Sequence, residues 1–238
     1  MPLREELRSQ GDFLFRYRSY LPLVIVVAGI CAYTQRQIDP SQPNREYVYV
    51  AVSLLGLLLR MVAVGYSAQR TSGRNTNEGQ IADSLNTTAL YSVCRHPLYV
   101  GNFLMWLGIA LFTETFWFIV AFILLFALYY ERIMYAEEEF LRQTYGDTYL
   151  RWADQTPAVL PNLRQWKAPL QQFDLKKVLR QEKSGIVNLL LTICALKTIG
   201  NYIATGQYLC YPYHWYWALL ASIVYYIIAK IAQKAGKL

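Results

Sequence analysis

Six apolar stretches of 15 to 22 residues dominate this chain of 238 residues, at 20–37, 47–68, 98–112, 115–136, 185–204 and 212–231. About 20 apolar residues coiled as a helix cross a hydrocarbon core of about 30 Å. Only a structure that satisfies its own backbone hydrogen bonds survives there. The expected fold class is therefore all-α, a polytopic membrane bundle of about six transmembrane helices. The third and fourth stretches meet at Thr113-Glu114-Thr115, so those two are expected to form a tight helical hairpin.

Charge sets the orientation. Of 23 Lys and Arg residues, 19 fall in segments that share one side if six helices cross. Arg36 and Arg45 fall on the other side, and Arg60 and Lys197 lie within apolar stretches. Lys and Arg favour the cytoplasmic side, so both termini are expected there. The formal charge of +7 then reads as orientation and attraction to anionic headgroups rather than nucleic-acid binding. Charged residues make up 16% against about 25% in soluble domains, which excludes a disordered chain, a coiled coil and an ordinary soluble enzyme. The first 20 residues are polar and mixed in charge, and no cleaved signal peptide is expected. Cys31, Cys94, Cys194 and Cys210 are scattered without CxxC spacing, and are expected to act as small apolar residues rather than metal ligands.

Two polar stretches flank the hairpin and emerge on its one side. The first, 70–99, ends in Arg95-His96-Pro97-Leu98-Tyr99. Pro97 suits a first helical turn, which leaves Arg95 and His96 at the membrane face. The second, 131–161, carries Glu137, Glu138 and Glu139, then Tyr145-Gly146, Tyr149, Arg151, Trp152 and Pro161. Adjacent carboxylates on a helix point about 100° apart, so one or two face inward. Plain structural roles stand beside these readings: Arg95 as a snorkelling anchor, Tyr99 as an interfacial belt residue, Glu138 paired with Arg142.

Taken in order, RHPLY, an apolar hairpin, EE, YG..Y..W and a Pro resemble the membrane methyltransferases of the isoprenylcysteine carboxyl methyltransferase and phospholipid methyltransferase type, over 85–161. The resemblance implies S-adenosylmethionine as cofactor, bound on the cytoplasmic side. It implies that Arg95, His96, Tyr99, Glu137 and Glu138 form the cofactor pocket. Two departures stand out: Ala89 or Leu90 occupies the place of a Gly common before RHP, and Tyr145 and Trp152 stand for a Phe and a Tyr. The chain divides accordingly into a tail with two helices and a polar loop (1–84), a methyltransferase core (85–161), and a basic linker with a terminal hairpin (162–238).

The acceptor is read from charge. An amine acceptor needs a base, whereas a carboxylate or phosphate needs cations. Outside the pocket the chain offers Arg60, Lys197, Arg70, Arg74 and Arg151, with no spare buried carboxylate expected. Arg60 lies mid-stretch, where a charge is costly and often functional; the alternative is a buried Arg paired with a carboxylate or carbonyl. Arg60 and Arg151 are the expected catalytic residues. The expected reaction is methyl transfer to a phosphate or carboxylate of a lipid or lipidated acceptor in the membrane. FLFRYRSYLPL and SGRNT…LNTT are similar to the bacterial lipid A 1-phosphate methyltransferase branch, which implies the inner membrane. Carboxyl methylation of prenylcysteine, N-methylation of a phospholipid and an NADPH-dependent sterol-type reductase remain as alternatives.

Overall fold

The computed structural model describes residues 2–17, 21–34, 45–69, 71, 75–76, 79–80, 83–207 and 213–236. Arg70, Arg74 and Cys210 lie outside them. The described residues form nine α-helices: α1 (Leu3–Tyr17), α2 (Leu21–Thr34), α3 (Arg45–Tyr66), α4 (Leu90–Val93), α5 (Pro97–Leu111), α6 (Phe116–Tyr145), α7 (Asp147–Gln155), α8 (Leu175–Thr205) and α9 (His214–Lys234). A two-residue antiparallel ladder, Asn75–Thr76 with Gly79–Gln80, lies in the polar loop.

The fold is an all-α membrane bundle. Leu54 and Leu58 on α3, Leu124 and Leu128 on α6, and Ile227 and Ile231 on α9 are exposed at i,i+4 spacing. Such stripes belong against lipid chains rather than water. An apolar helix lies at each of the six expected places, but four of them, α3, α6, α8 and α9, are long and apolar enough to cross a bilayer. Helices α2 and α5 have 14 and 15 residues. At 1.5 Å per residue each is about 22 Å long, short of the core thickness. Helix α5 is short because both its ends turn inside the protein. It starts at His96, 6% exposed, and stops at Phe112 and Thr113, which are fully buried. The hairpin turn is held by Thr113, whose hydroxyl donates to the Ala110 carbonyl, and by Glu114, whose carboxylate accepts from the Tyr49 hydroxyl at 3.1 Å.

Helix α3 packs along α5 through small residues. A Cβ on Gly101 would sit 2.6 Å from Arg60 Cγ and 2.8 Å from the Gly56 carbonyl, and one on Gly108 would sit 2.1 Å from Ser53 Oγ. Ser53 donates across this seam to the Met105 carbonyl at 2.9 Å. Close backbone approach replaces hydrophobic drive where the solvent is itself apolar.

Helix α8 begins ten residues before the expected apolar stretch, because the charged turns ahead of Gly185 are helical as well. It runs antiparallel to α3 and is tied to it by charge along its length. Lys177 Nζ donates to the carbonyls of Ser67 and Ala68 beyond the C-terminal end of α3, where the helix dipole favours a cation. Arg60 pairs with Glu182, and Lys197 with Glu46. Glu182 is 1% exposed, so the expectation that no carboxylate outside the EE pair is buried is corrected: Arg60 has drawn one in from a run that reads as a solvated linker.

Candidate functional site

Helix α6 is 30 residues long, about 45 Å, and outlasts the membrane core. Its last turns carry the three glutamates beside the start of α5, and they divide as helical geometry requires. Glu139 turns to Arg4 of α1 at 2.7 Å. Glu137 and Glu138 both reach His96. Glu138 Oε1 lies 2.8 Å from His96 Nε2, and Glu137 Oε2 lies 3.5 Å from His96 Nδ1. Arg95 Nε stands 3.0 Å from that same Glu138 oxygen, an ion pair whose N–H is not aimed for a hydrogen bond. Glu138 therefore serves His96 and Arg95.

Gly146 ends α6 at φ +52°, a conformation that favours glycine. The chain then turns back through α7, whose Ala153 carbonyl accepts from Arg95 Nη1 at 2.7 Å. Beyond α7 the segment 157–170 lies along 88–96. The amides of Arg95 and His96 donate to the carbonyls of Pro157 and Ala158, Asn162 N–H donates to Val93, and Ala89 N–H donates to Lys167. The two polar stretches thus meet, and these backbone bonds hold the RHP turn in place. Ala89 sits at φ +52°, ψ −132°, 1% exposed. This is a glycine-favoured conformation at one of the two positions, Ala89 and Leu90, that stand where the resemblance implies a Gly.

Tyr99 stacks on the His96 ring at 5.5 Å between centroids, and Tyr130 packs on Tyr99 at 4.8 Å. Tyr149 and Trp152 of α7 make an edge-on pair at 5.8 Å. Trp152 Nε1 and Arg95 Nε are buried donors without an aligned hydrogen-bond acceptor, and the Tyr149 hydroxyl beside them lies against Glu138. Buried donors are seldom left so. Grouped here, they offer N–H and O–H bonds to an oxygen-rich ligand.

Electrostatics agree with the clamp. Burial alone pushes His96 toward its neutral form, but hydrogen bonds and charge from Glu137 and Glu138 outweigh it and hold the imidazole above its ordinary range. Burial raises the Tyr149 phenol, and Glu138 raises it further. Burial pushes the Cys94 thiol up to about 11. Its Sγ–H points at the carbonyls of Ala158 and Val159, so Cys94 is a packed thiol rather than a nucleophile.

The structure therefore brings Arg95, His96, Tyr99, Glu137 and Glu138 together. It separates from them the two residues expected to meet the acceptor. Arg151 is exposed on α7. Arg60 lies in the bundle, with Nε and Nη2 on Glu182 at 3.0 and 2.7 Å and Nη1 on Asn102 Oδ1. Sequence reasoning missed Asn102, Tyr130 and Glu182. The one available signal was Asn102, a lone amide in the first turns of an apolar helix.

The sequence profile of the phospholipid methyltransferase family matches residues 47–148. The chain is 31% identical over 152 residues to the nickel-cobalt-cadmium resistance protein NccN of Alcaligenes xylosoxydans xylosoxydans, covering 64% of this chain and 68% of that protein. It is 34% identical over 158 residues to the cobalt-zinc-cadmium resistance protein CzcN of Cupriavidus metallidurans, covering 66% and 69%. No solved structure matches the chain.

Proposed function

Since the chain belongs to the phospholipid methyltransferase family, we propose that this membrane methyltransferase transfers a methyl group from S-adenosylmethionine to an oxyanion of a membrane lipid. The observation that carries the reading is the His96 clamp with the buried donors of Arg95, Tyr149 and Trp152 grouped around it. When bound, the cofactor supplies an electrophilic methyl on a sulfonium. The protein's task is then alignment, the main requirement of an in-line displacement. Glu137 and Glu138 suit an ammonium and ribose hydroxyls, and Arg95, Tyr149 and Trp152 suit a carboxylate or a ring acceptor. His96 holds the two carboxylates in place. Positive charge on the loops supports a cytoplasmic site at a bacterial inner membrane.

An oxyanion is favoured over an amine by the names of the relatives. Both are named for resistance to divalent metals. Anionic phosphate and carboxylate groups draw divalent cations to a membrane surface through charge. Methylating one removes a negative charge from the membrane surface, whereas N-methylating an aminolipid leaves its phosphate charged. A lipid phosphate such as lipid A 1-phosphate fits this reading.

Calorimetry of the purified protein with S-adenosylhomocysteine tests the cofactor site. Each of Glu138→Ala and His96→Ala is expected to weaken binding by roughly tenfold or more, since a hydrogen bond to a charged group is worth about 1.5–3 kcal/mol. Unchanged affinity in both variants refutes the assignment.

A further inference from the structure

A cavity of about 550 Å³ lies between α2, α3, α5, α6 and α8, inside the range of roughly 300–1,000 Å³ typical of small-molecule sites. One end is polar. Arg60 donates to Asn102 Oδ1, and Asn102 Nδ2 donates to the Tyr130 hydroxyl at 3.1 Å. Tyr130 leads through Tyr99 to His96, so this end lies two rings from the clamp. The rest is apolar, walled by Ile30, Trp106, Ile109 and Leu196. Leu191, which also lines the cavity, is 52% exposed on the outer surface of α8. The cavity thus reaches the face that meets lipid. Asn188 and Thr192 line it too, polar side chains in the middle of a helix long and apolar enough to cross the membrane. The Thr192 hydroxyl donates to the Asn188 carbonyl of its own helix, which leaves the Asn188 amide as the polar group of this wall.

We infer that this cavity holds one hydrocarbon chain of a phosphate-bearing lipid, the acceptor of the reaction proposed above, with its head at the Arg60–Asn102–Tyr130 end, and that α8 is the wall that selects it. The inference rests on that reaction. The charge of Arg60 is cancelled by Glu182, so the polar end presents donors with little net charge. Such an end holds a phosphate oxygen without binding the substrate far more tightly than the less charged transition state and product, which is what turnover requires. Helix α8 lies outside the residues shared with the family profile, so this wall is an addition to the common core.

The test uses the full chain in phosphatidylcholine nanodiscs doped with phosphatidic acid bearing a mid-chain diazirine. After photolysis, adducts are expected on residues 102–109 and 185–196. Thr192→Trp, which fills the cavity, should cut them by about tenfold, the size of a steric misfit in an apolar pocket. Leu220→Trp, on the exposed face of α9, should leave them unchanged. A melting temperature equal to that of the unaltered protein shows that Thr192→Trp is folded. Adducts confined to the outer faces of α6 and α9, or undiminished in Thr192→Trp, overturn the inference, and equal labelling by diazirine phosphatidylcholine overturns its phosphate part. Labelling is read without cofactor, so failure of the unaltered protein to bind S-adenosylhomocysteine strikes the proposed reaction alone.

Discussion

His96 shows how one side chain sets the behaviour of a site. Its pKa is raised in the folded protein above the ordinary value of about 6.5. A raised base contributes stability that is fully present below the unfolded value and is lost as pH rises through the folded one. Melting temperature should therefore fall as pH is taken from about 6.5 upward, and His96→Gln should flatten that decline. An identical slope in the variant would remove His96 as its source. Ala89 makes a second residue-level prediction. A non-glycine residue in its conformation costs about 1–3 kcal/mol, so Ala89→Gly should raise stability by about 1 kcal/mol, read as a higher melting temperature. A lower one would show that the turn is not strained.

At the scale of elements, α3 is the hub. It meets α5 through glycines and α8 through charge pairs, and Arg60 belongs to both seams, lying across Gly101 and reaching Glu182. Breaking a buried pair leaves a lone charge at a cost of about 3–5 kcal/mol, whereas replacing both partners with apolar side chains is often neutral. Glu182→Ala should thus unfold at markedly lower denaturant than Arg60→Met with Glu182→Leu. Equal loss in the two would show that packing rather than charge holds this seam. Gly101→Val should separate α3 from α5 and cost about 1–3 kcal/mol or more by overpacking, checked by thermal unfolding in detergent.

At the scale of the whole molecule, the bundle puts a polar clamp at the end of a helix long enough to leave the membrane, next to a cavity open to lipid. Under the proposed reaction, a cofactor from water and a lipid from the bilayer meet at this one interface. Cells expressing the chain are expected to accumulate a methyl-ester lipid, absent with His96→Ala. Vesicles of that lipid should bind less Cd²⁺ or Zn²⁺ than vesicles of its unmethylated parent, since one anionic oxygen is lost. An N-methylated product with unchanged metal binding would overturn the oxyanion reading.

Hydropathy and charge by themselves determined the all-α membrane bundle, and ordered motifs determined the family, because both are properties of chain segments that need no knowledge of neighbours. Residues 95–99 and 137–138 were legible for the same reason: a short hairpin returns the chain to where it started, so sequence spacing implies proximity. The partner of Arg60 was not legible. Glu182 is 122 positions away in a charged run that reads as solvated linker. Only the antiparallel docking of α8 on α3 buries it, since a cation inside the bundle draws in the one carboxylate that the register places opposite it. The length of α5 and the conformation of Ala89 were likewise decided by tertiary contacts, where a buried turn and a strand-like crossing by 157–170 overrule what local composition prefers.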